Sequence, residues 1–389
     1  MHIVELRLFG FRGHQELRLR LDPGLTVIHG QNGQGKTTLL EGIAVLALTR
    51  SPLTSSQTEC LAWGAPAMRL TTTVARRDGA VEVDLRWDRD DTGAARLRRR
   101  YRVDGQPRPA RAVLGTLRVV CFWPDDLGLV KGPASGRRRL LDVAISQGDP
   151  AYAEAGVRYR RALDQRNAAL RQERTGGSGS GHRAFDAALI QHGSVLVAAR
   201  AAFVAGLAPL AATALVEIGE TAPLQLAYRP QLGPLVVSAS APLPTTRDQA
   251  AERIRAGLTQ AASAERARGQ TLVGPHRDEV EVTLGARPAR AFASQGQQRS
   301  IVLAVKVAEV RHHQGAAGEQ PVLLLDDVLS ELDAARQRAL LGVLAVEGPQ
   351  LQTLLTVAGD GPALLPGARH LRMEAGRVIA TDPDAGGPP

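Results

Sequence analysis

Apolar and charged residues alternate from the first turn of the chain. Ile3-Val4-Glu5-Leu6-Arg7-Leu8 and Glu16-Leu17-Arg18-Leu19-Arg20-Leu21 each turn every second side chain toward a core, which predicts two half-exposed strands. Leu25-Thr26-Val27-Ile28 is a short, more buried strand, and a helix is predicted from Lys36 to about Thr49. Asp78-Gly79 separates Thr71–Val74 from Val81–Leu85, and Asp104-Gly105 follows Arg98–Val103; both dipeptides suit hairpin turns that need positive φ. The first 130 residues or so therefore predict an antiparallel sheet with an arginine-laden face.

Between residues 137 and 268 the pattern changes to Ala-, Leu- and Arg-rich segments with helical spacing. The run Thr175-Gly176-Gly177-Ser178-Gly179-Ser180-Gly181 reads as a flexible connection between helices. Strand character returns at Val280–Leu284. A helix from about Gln298, an apolar strand Val322–Leu325, a further helix and a closing hairpin follow. Two segments, 1–136 and 269–381, thus build one lobe, 137–268 is a helical lobe inserted into it, and the Pro/Gly-rich 382–389 is a frayed tail. No internal repeat is present.

Composition narrows the function. With 389 residues, 44% hydrophobic and 22% charged, the chain can bury a large core, which excludes global disorder. A net charge of +9 favours a polyanionic partner. The cations are almost all arginine; only Lys36, Lys131 and Lys306 are lysine, so each lysine marks a place where a compact ammonium matters. Cys60 and Cys121 have no metal-ligand spacing, which argues against a zinc site or a disulfide framework. No secretory leader and no uninterrupted apolar stretch of about eighteen residues is evident, so a cytoplasmic chain that spans no membrane is expected.

Gly30-Gln31-Asn32-Gly33-Gln34-Gly35-Lys36-Thr37, followed by Thr38, fits the phosphate-binding pattern G-x-x-x-x-G-K-[ST] between an apolar strand and a helix. Glycines let successive N–H groups converge on phosphate oxygens, and the helix directs its positive end at the same charge. Lys36 is placed to reach the β- and γ-phosphates, and Thr37 to ligate magnesium. Downstream, Leu323-Leu324-Leu325-Asp326-Asp327 sets two carboxylates at the C-terminal end of an apolar strand, the ligand-binding edge of a parallel sheet. Asp326 suits magnesium, and Asp327 suits orienting or deprotonating an attacking water. Ser330 followed by Asp333 resembles a capping box with Ser330 as N-cap, compatible with a place at a nucleotide interface.

These motifs, with Ser294-Gln295-Gly296-Gln297 between them, resemble the Walker A, signature, Walker B and D-loop motifs of ABC-type ATPases. A closer resemblance is to the RecF family of bacterial DNA repair and recombination proteins, carried in order by FRGHQELRLRLDPGLTVIHGQNGQGKTTLLEGI, FWPDDLGLVKGPASGRRRLLD, TLVGPHRDE, SQGQQRS and PVLLLDDVLSELD. The resemblance implies an α/β, ABC-type ATPase head (a P-loop NTPase with a mixed sheet and an antiparallel β subdomain) carrying an inserted α-helical lobe. It also implies a head-to-tail homodimer with ATP and Mg2+ between the Walker motifs of one subunit and the signature of the other, and DNA repair with RecR, RecO and RecA. Ser294 and Gly296 would open the helix that begins near Gln298 and offer its positive end to a partner's γ-phosphate. Asp327 stands where many ABC ATPases have glutamate, which implies slow hydrolysis. Trp123 and Asp125 replace the family's more usual Ser and Glu.

Arg76, Arg77, Arg86, Arg96, Arg98, Arg99, Arg100 and Arg102 cluster on the predicted hairpins, and Arg137, Arg138 and Arg139 open the helical lobe. Phosphate contacts need little beyond positive charge, which makes these the DNA-binding candidates. An aromatic content of 3% argues against base stacking and for duplex or gapped DNA, with single strands allowed. Lys131 reads as either a structural or a nucleotide-sensing residue, and His276 as a hydrogen-bonding residue rather than a metal ligand. Two other classes share the short motifs. A transporter ATPase subunit lacks the blocks outside them, and an SMC-like clamp needs heptad arms longer than this insert.

Overall fold

A computed structural model describes residues 1–90, 97–175, 181–233, 246–359 and 367–380. The chain lays down β1 (His2–Phe11), β2 (His14–Arg20), β3 (Leu25–Gly30), helix α1 (Lys36–Leu48), β4 (Ala67–Arg76), β5 (Gly79–Arg89), β6 (Leu97–Val103), β7 (Gln106–Pro107), the turn α2 (Ala110–Val113) and β8 (Val119–Phe122). Next come α3 (Gly128–Lys131), α4 (Ala134–Gly148), α5 (Pro150–Arg174), α6 (Asp186–Glu217), β9 (Leu224–Arg229), α7 (Arg247–Arg268), β10 (Glu279–Leu284), β11 (Arg287–Pro288) and α8 (Ala289–Phe292). The last third holds α9 (Gln295–Ala317), β12 (Val322–Asp326), α10 (Ala334–Val346), β13 (Thr353–Ala358), β14 (Arg369–Glu374) and β15 (Arg377–Ala380).

Two compact units result. The first comprises Met1–Leu127, Thr213–Thr221 and Gln295–Pro389; the second comprises Gly128–Ala212 and Ala222–Ser294. The division falls at 128 and 294, where the sequence pattern set it at 137 and 268. The displacement has a plain cause: β10 pairs with β9 and β11 in a three-stranded sheet inside the second unit, so the strand at Val280–Leu284 belongs with the helices. The expected tail, the residues 176–180 of the Gly/Ser run and Arg96 lie outside the described residues.

The first unit has two six-stranded sheets. One is antiparallel, in the order β2-β1-β4-β5-β6-β7; the other is mixed, in the order β15-β14-β3-β13-β12-β8, parallel throughout except for β15. Helix α1 is buried without a break from Leu39 to Leu48, the signature of a helix covered on every side, and it touches strands of both sheets. Asp104 and Gly105 both have positive φ (50° and 72°), as the hairpin between β6 and β7 requires. Buried Gln352 joins the two halves of the chain. Its Oε1 accepts from Ile3 N–H at 2.7 Å, and its Nε2 donates to the carbonyls of Ile3 and Asp22 at 2.8 and 2.9 Å.

The second unit encloses a polar network. Arg200 of α6, 3% exposed, donates to Tyr152 Oη (3.0 Å), Asp142 (2.7 Å), Asp278 (3.0 Å) and the Pro275 carbonyl (2.7 Å). Arg166 meets Asp186, Glu265 and Thr271 in the same way. Buried charges of this kind persist only when paired and hydrogen-bonded. The segment Gly181–Glu217 is long and apolar enough to cross a membrane by length and composition. Its paired, buried Arg200 makes it a core helix here. The block Thr271–Glu279 explains itself in this unit: Asp278 accepts from Arg200, Tyr228 and Gln231 N–H.

His276, as the sequence suggested, is a hydrogen-bonding residue. Its Nε2–H donates to the Thr271 carbonyl at 3.2 Å, and Tyr159 Oη donates to its Nδ1 at 2.7 Å. Burial, with Arg277, Arg138 and Arg166 nearby, pulls its pKa down to about 4. The imidazole is therefore neutral when folded, whereas the unfolded chain takes up the proton near pH 6.5. Stability from this site is complete above pH 6.5 and is lost as pH falls toward 4. His276→Gln should change the difference in unfolding free energy between pH 7 and pH 5 by about 2 kcal/mol relative to wild type, measured by denaturant titration at the two pH values.

Candidate nucleotide site

The loop between β3 and α1 borders a cavity of about 440 Å³ whose walls include Asn32, Gly33, Lys36, Thr37, Asp326 and Asp327, a size suited to a small ligand. Gln34, Gly35 and Thr38 also line it. Gly30 and Gln31 do not; their carbonyls instead accept from Lys36 Nζ at 2.6 and 2.8 Å. The ammonium is thereby held over the loop. Burial lowers the Lys36 pKa from the ordinary lysine range, while the charges of Asp327 and Asp326 act the other way.

Gly30 answers a different need. Its φ is 143°, and a Cβ there would stand 2.3 Å from the Met373 carbonyl of β14. Hairpin β14–β15 is pressed onto the loop: Ala375 N–H donates to Gln34 Oε1 at 2.5 Å and Gly376 N–H to the Gln34 carbonyl at 3.1 Å. His14, 1% exposed, sits between the carbonyls of Gly376 and Gly35, with ring nitrogens 2.8 and 3.3 Å away. Gly13, Ala375 and Gly376 complete the cavity wall. Ala375 and Gly376 escaped the sequence reading because no local pattern marks them.

Asp326 ends β12, parallel to β13 and β8. Its carboxylate accepts from Thr37 Oγ1 at 2.9 and 3.0 Å and from Thr356 Oγ1 at 2.7 Å. Burial raises the Asp326 pKa from the ordinary carboxylate value, opposed by the hydrogen bonds from Thr356 and Thr37. Thr356, unmarked in the sequence, also accepts from Asp327 N–H at 2.9 Å. Asp327 has φ 51°, a left-handed conformation that costs a non-glycine residue about 1–2 kcal/mol. Its Oδ1 is buried with no hydrogen-bond partner among the described residues, an arrangement that calls for a missing donor.

The other sequence candidates fall elsewhere. Helix α9 begins at Gln295, so Gln295, Gly296 and Gln297 lie in its first turn and Ser294 directly precedes it; the start expected near Gln298 is corrected by three residues. The N-cap of α10 is Asp333, which accepts from Arg336 N–H at 2.9 Å. Ser330, expected to be that cap, lies in the turn Leu329–Glu331 and donates to the Asp327 carbonyl at 2.9 Å.

The arginines divide sharply. Arg137 is 7% exposed and gives its whole fork to Glu279 (2.6 Å twice) and to the carbonyls of Leu129 and Gly132. It ties α4 to β10 and has no face for phosphate, which removes it from the DNA candidates. Arg138 donates to the Asp278 carbonyl at 2.7 Å. Arg99 lies over the buried Trp87 ring, 4.7 Å from its centre, and Arg76 lies 3.7 Å from Glu319. The backbone N–H of Arg77 donates to the same Glu319. Arg86 and Arg100 pair with Asp88. Arg77, Arg86, Arg98, Arg99, Arg100, Arg102 and Arg139 are all exposed, as is Lys131.

A P-loop at the edge of a parallel sheet, with paired aspartates ending the next strand but one and an antiparallel sheet alongside, defines a P-loop ATPase head of the ABC and SMC kind. Residues 5–109 match the AAA domain family. Solved SMC heads share the fold: one bound to the C-winged helix domain of ScpA has a TM-score of 0.56 at 14% identity, covering 99% of this chain and 98% of that one.

The narrower kinship is with DNA replication and repair protein RecF. That protein from Chloroflexus aurantiacus is 40% identical over 98% of this chain and 100% of its own. The Symbiobacterium thermophilum protein is 39% identical over 98% and 99%. The structure of the recombination mediator protein RecF with ATP, in the RecFOR pathway, superposes with a TM-score of 0.84 at 26% identity, covering 98% of both chains. The chain belongs to the RecF family of DNA replication and repair proteins.

Gly30 offers a test of the loop's dependence on the hairpin. Gly30→Ala forces a Cβ into the Met373 carbonyl and should destabilise the protein by about 2 kcal/mol or more. Gly33→Ala, whose Cβ meets nothing within 4 Å, should cost only the left-handed penalty of about 1 kcal/mol. Thermal denaturation without nucleotide compares the two.

Proposed function

We propose that the chain binds ATP with Mg2+ in the cavity beside the P-loop and hydrolyses it slowly, as a switch for head-to-tail dimerisation on DNA during recombinational repair and replication-gap processing. The observation that carries this reading is the cluster of Lys36, Thr37 and Asp326 around one cavity, with the unpartnered Asp327 oxygen beside them.

The donor set suits the ligands. The N–H groups of Gly33 to Thr38, at the positive end of α1, receive phosphate oxygens, and Gly30, Gln31 and Asn32 shape the loop. Lys36 exchanges the two carbonyls it now holds for the phosphates. Thr37 and Asp326 are hard oxygen ligands fit for Mg2+. Among the described residues no group of three or more His, Cys, Asp or Glu could hold a metal, so phosphate and water must complete the shell. Mg2+ supplies charge neutralisation for the transferred phosphoryl group. Asp327 Oδ1 accepts a hydrogen bond from the attacking water, and Lys36 stabilises the charge that develops. Ser294, Gln295, Gly296 and Gln297, with Ser330 and Asp333, face the nucleotide of a second copy.

For DNA, the exposed Arg98, Arg99, Arg100 and Arg102 on β6 and Arg139 on α4 support a salt-dependent, phosphate-directed contact to duplex or gapped DNA. The pathway named for the solved RecF structures supports work alongside RecR and RecO; help in assembling RecA, in the cytoplasm at the nucleoid, completes the proposal.

Sedimentation and turnover test the switch together. With ATP and Mg2+ the wild type should dimerise, and DNA should raise its rate. Asp327→Asn should keep ATP affinity within a few-fold, lose at least about 100-fold in hydrolysis and stay dimeric, while Lys36→Ala should bind neither ATP nor a second subunit. A wild type that stays monomeric at saturating ATP and Mg2+ with DNA present refutes the switch.

A further inference from the structure

Arg336, in the first turn of α10, reaches across to α9. Its Nε donates to Ser300 Oγ at 3.1 Å, and Ser300 in turn donates to the Gly296 carbonyl at 3.1 Å. Its Nη1 is ion-paired with Asp333, whose other oxygen caps α10 through the Arg336 N–H at 2.9 Å. The plane of the guanidinium lies against Gly296: a Cβ built there would be 3.2 Å from Nη1, 3.3 Å from Cζ and 3.4 Å from Nη2. One side chain therefore touches the D-loop aspartate, the signature glycine and the serine one turn beyond it. Helix capping needs only the backbone of Arg336, so the reach of its fork toward α9 has to be explained separately.

The electrostatics add a reason. The first turn of α9 is a positive helix end, and a cation laid against it is disfavoured until an anion arrives. Asp333 offsets part of that charge. An incoming phosphate would offset the remainder, so the arrangement is poised for a polyanion.

We propose that Arg336 is a positioning residue that sets the signature turn of α9 and the D-loop aspartate as one rigid surface for the nucleotide held by a second copy of this chain. This rests on the head-to-tail dimer proposed above. Arg336 does not line its own chain's cavity, so its effect is on the partner's nucleotide. The bidentate fork is essential: a lysine ammonium can meet Asp333 or Ser300 but cannot also stack its plane on Gly296.

The test uses the full chain. For Arg336→Ala, binding of a fluorescent ATP analogue to the dilute monomer should stay within about twofold of wild type, while ATP-dependent dimerisation in sedimentation weakens about tenfold or more, each tenfold being about 1.4 kcal/mol. Arg336→Lys should restore only part of it. Hydrogen exchange on the nucleotide-free monomer should rise together in the first turn of α9 and at Ser330–Asp333. Ser300→Ala should weaken dimerisation in the wild-type background and add little in Arg336→Ala, because Ser300 acts through the Nε contact that Arg336→Ala has already removed. If Arg336→Ala fails to fold, Ser300→Ala carries the same prediction. Dimerisation indifferent to Arg336, or losses from Ser300→Ala and Arg336→Ala that simply add, overturns this proposal alone; a wild type that never dimerises overturns the dimer and this proposal with it.

Discussion

The carboxylate of Asp326 is the point on which the head is built. It is 4% exposed, and a carboxylate so placed is tolerable only with donors on its oxygens. Thr37 brings the start of α1, and Thr356 brings the end of β13. The same Thr356 hydroxyl takes the N–H of Asp327 and helps hold that residue in its left-handed conformation. Three separate segments of sequence are thus fixed by one side chain, and the positions of Lys36 and Asp327 follow from that fixation.

Much of this was legible because the chemistry is local. A P-loop is eight consecutive residues between a strand and a helix, and an apolar strand ending in Asp326-Asp327 is readable without knowing its neighbours. Thr356 and the Gly376 turn were not legible, since each acts across the fold on the loop and neither stands in a pattern of its own; His14 stands in the FRGHQ block, but only the fold sets it against the carbonyls of Gly35 and Gly376. The start of α9 was misplaced because Gln295-Gly296-Gln297-Gln298 is polar and carries no apolar periodicity until Ile301. Ser330 and Asp333 both suit a cap, and only geometry shows that Asp333 is the one used.

The arginines show where composition misleads. A net charge of +9 says nothing of how each guanidinium is engaged: Arg137 is buried against Glu279, Arg166 against Glu265 and Arg200 against Asp278. Of the three lysines, Lys36 and Lys306 are themselves buried, and arginine serves as core cation, helix tie and surface charge alike. Its planar fork suits that range, because it can satisfy several acceptors at once.

Hairpin β14–β15 gives the fold a property in time. The contact of Ala375 with Gln34 joins residues 341 positions apart, and Met373 presses on Gly30. While the chain is being synthesised, the loop and its apolar helix emerge long before the hairpin that completes their wall. Until residues 369–380 have been made, the loop lacks the wall that Met373, Ala375 and Gly376 supply. The pocket is thus a late product of the chain, closed by strands about 340 residues beyond the loop they support.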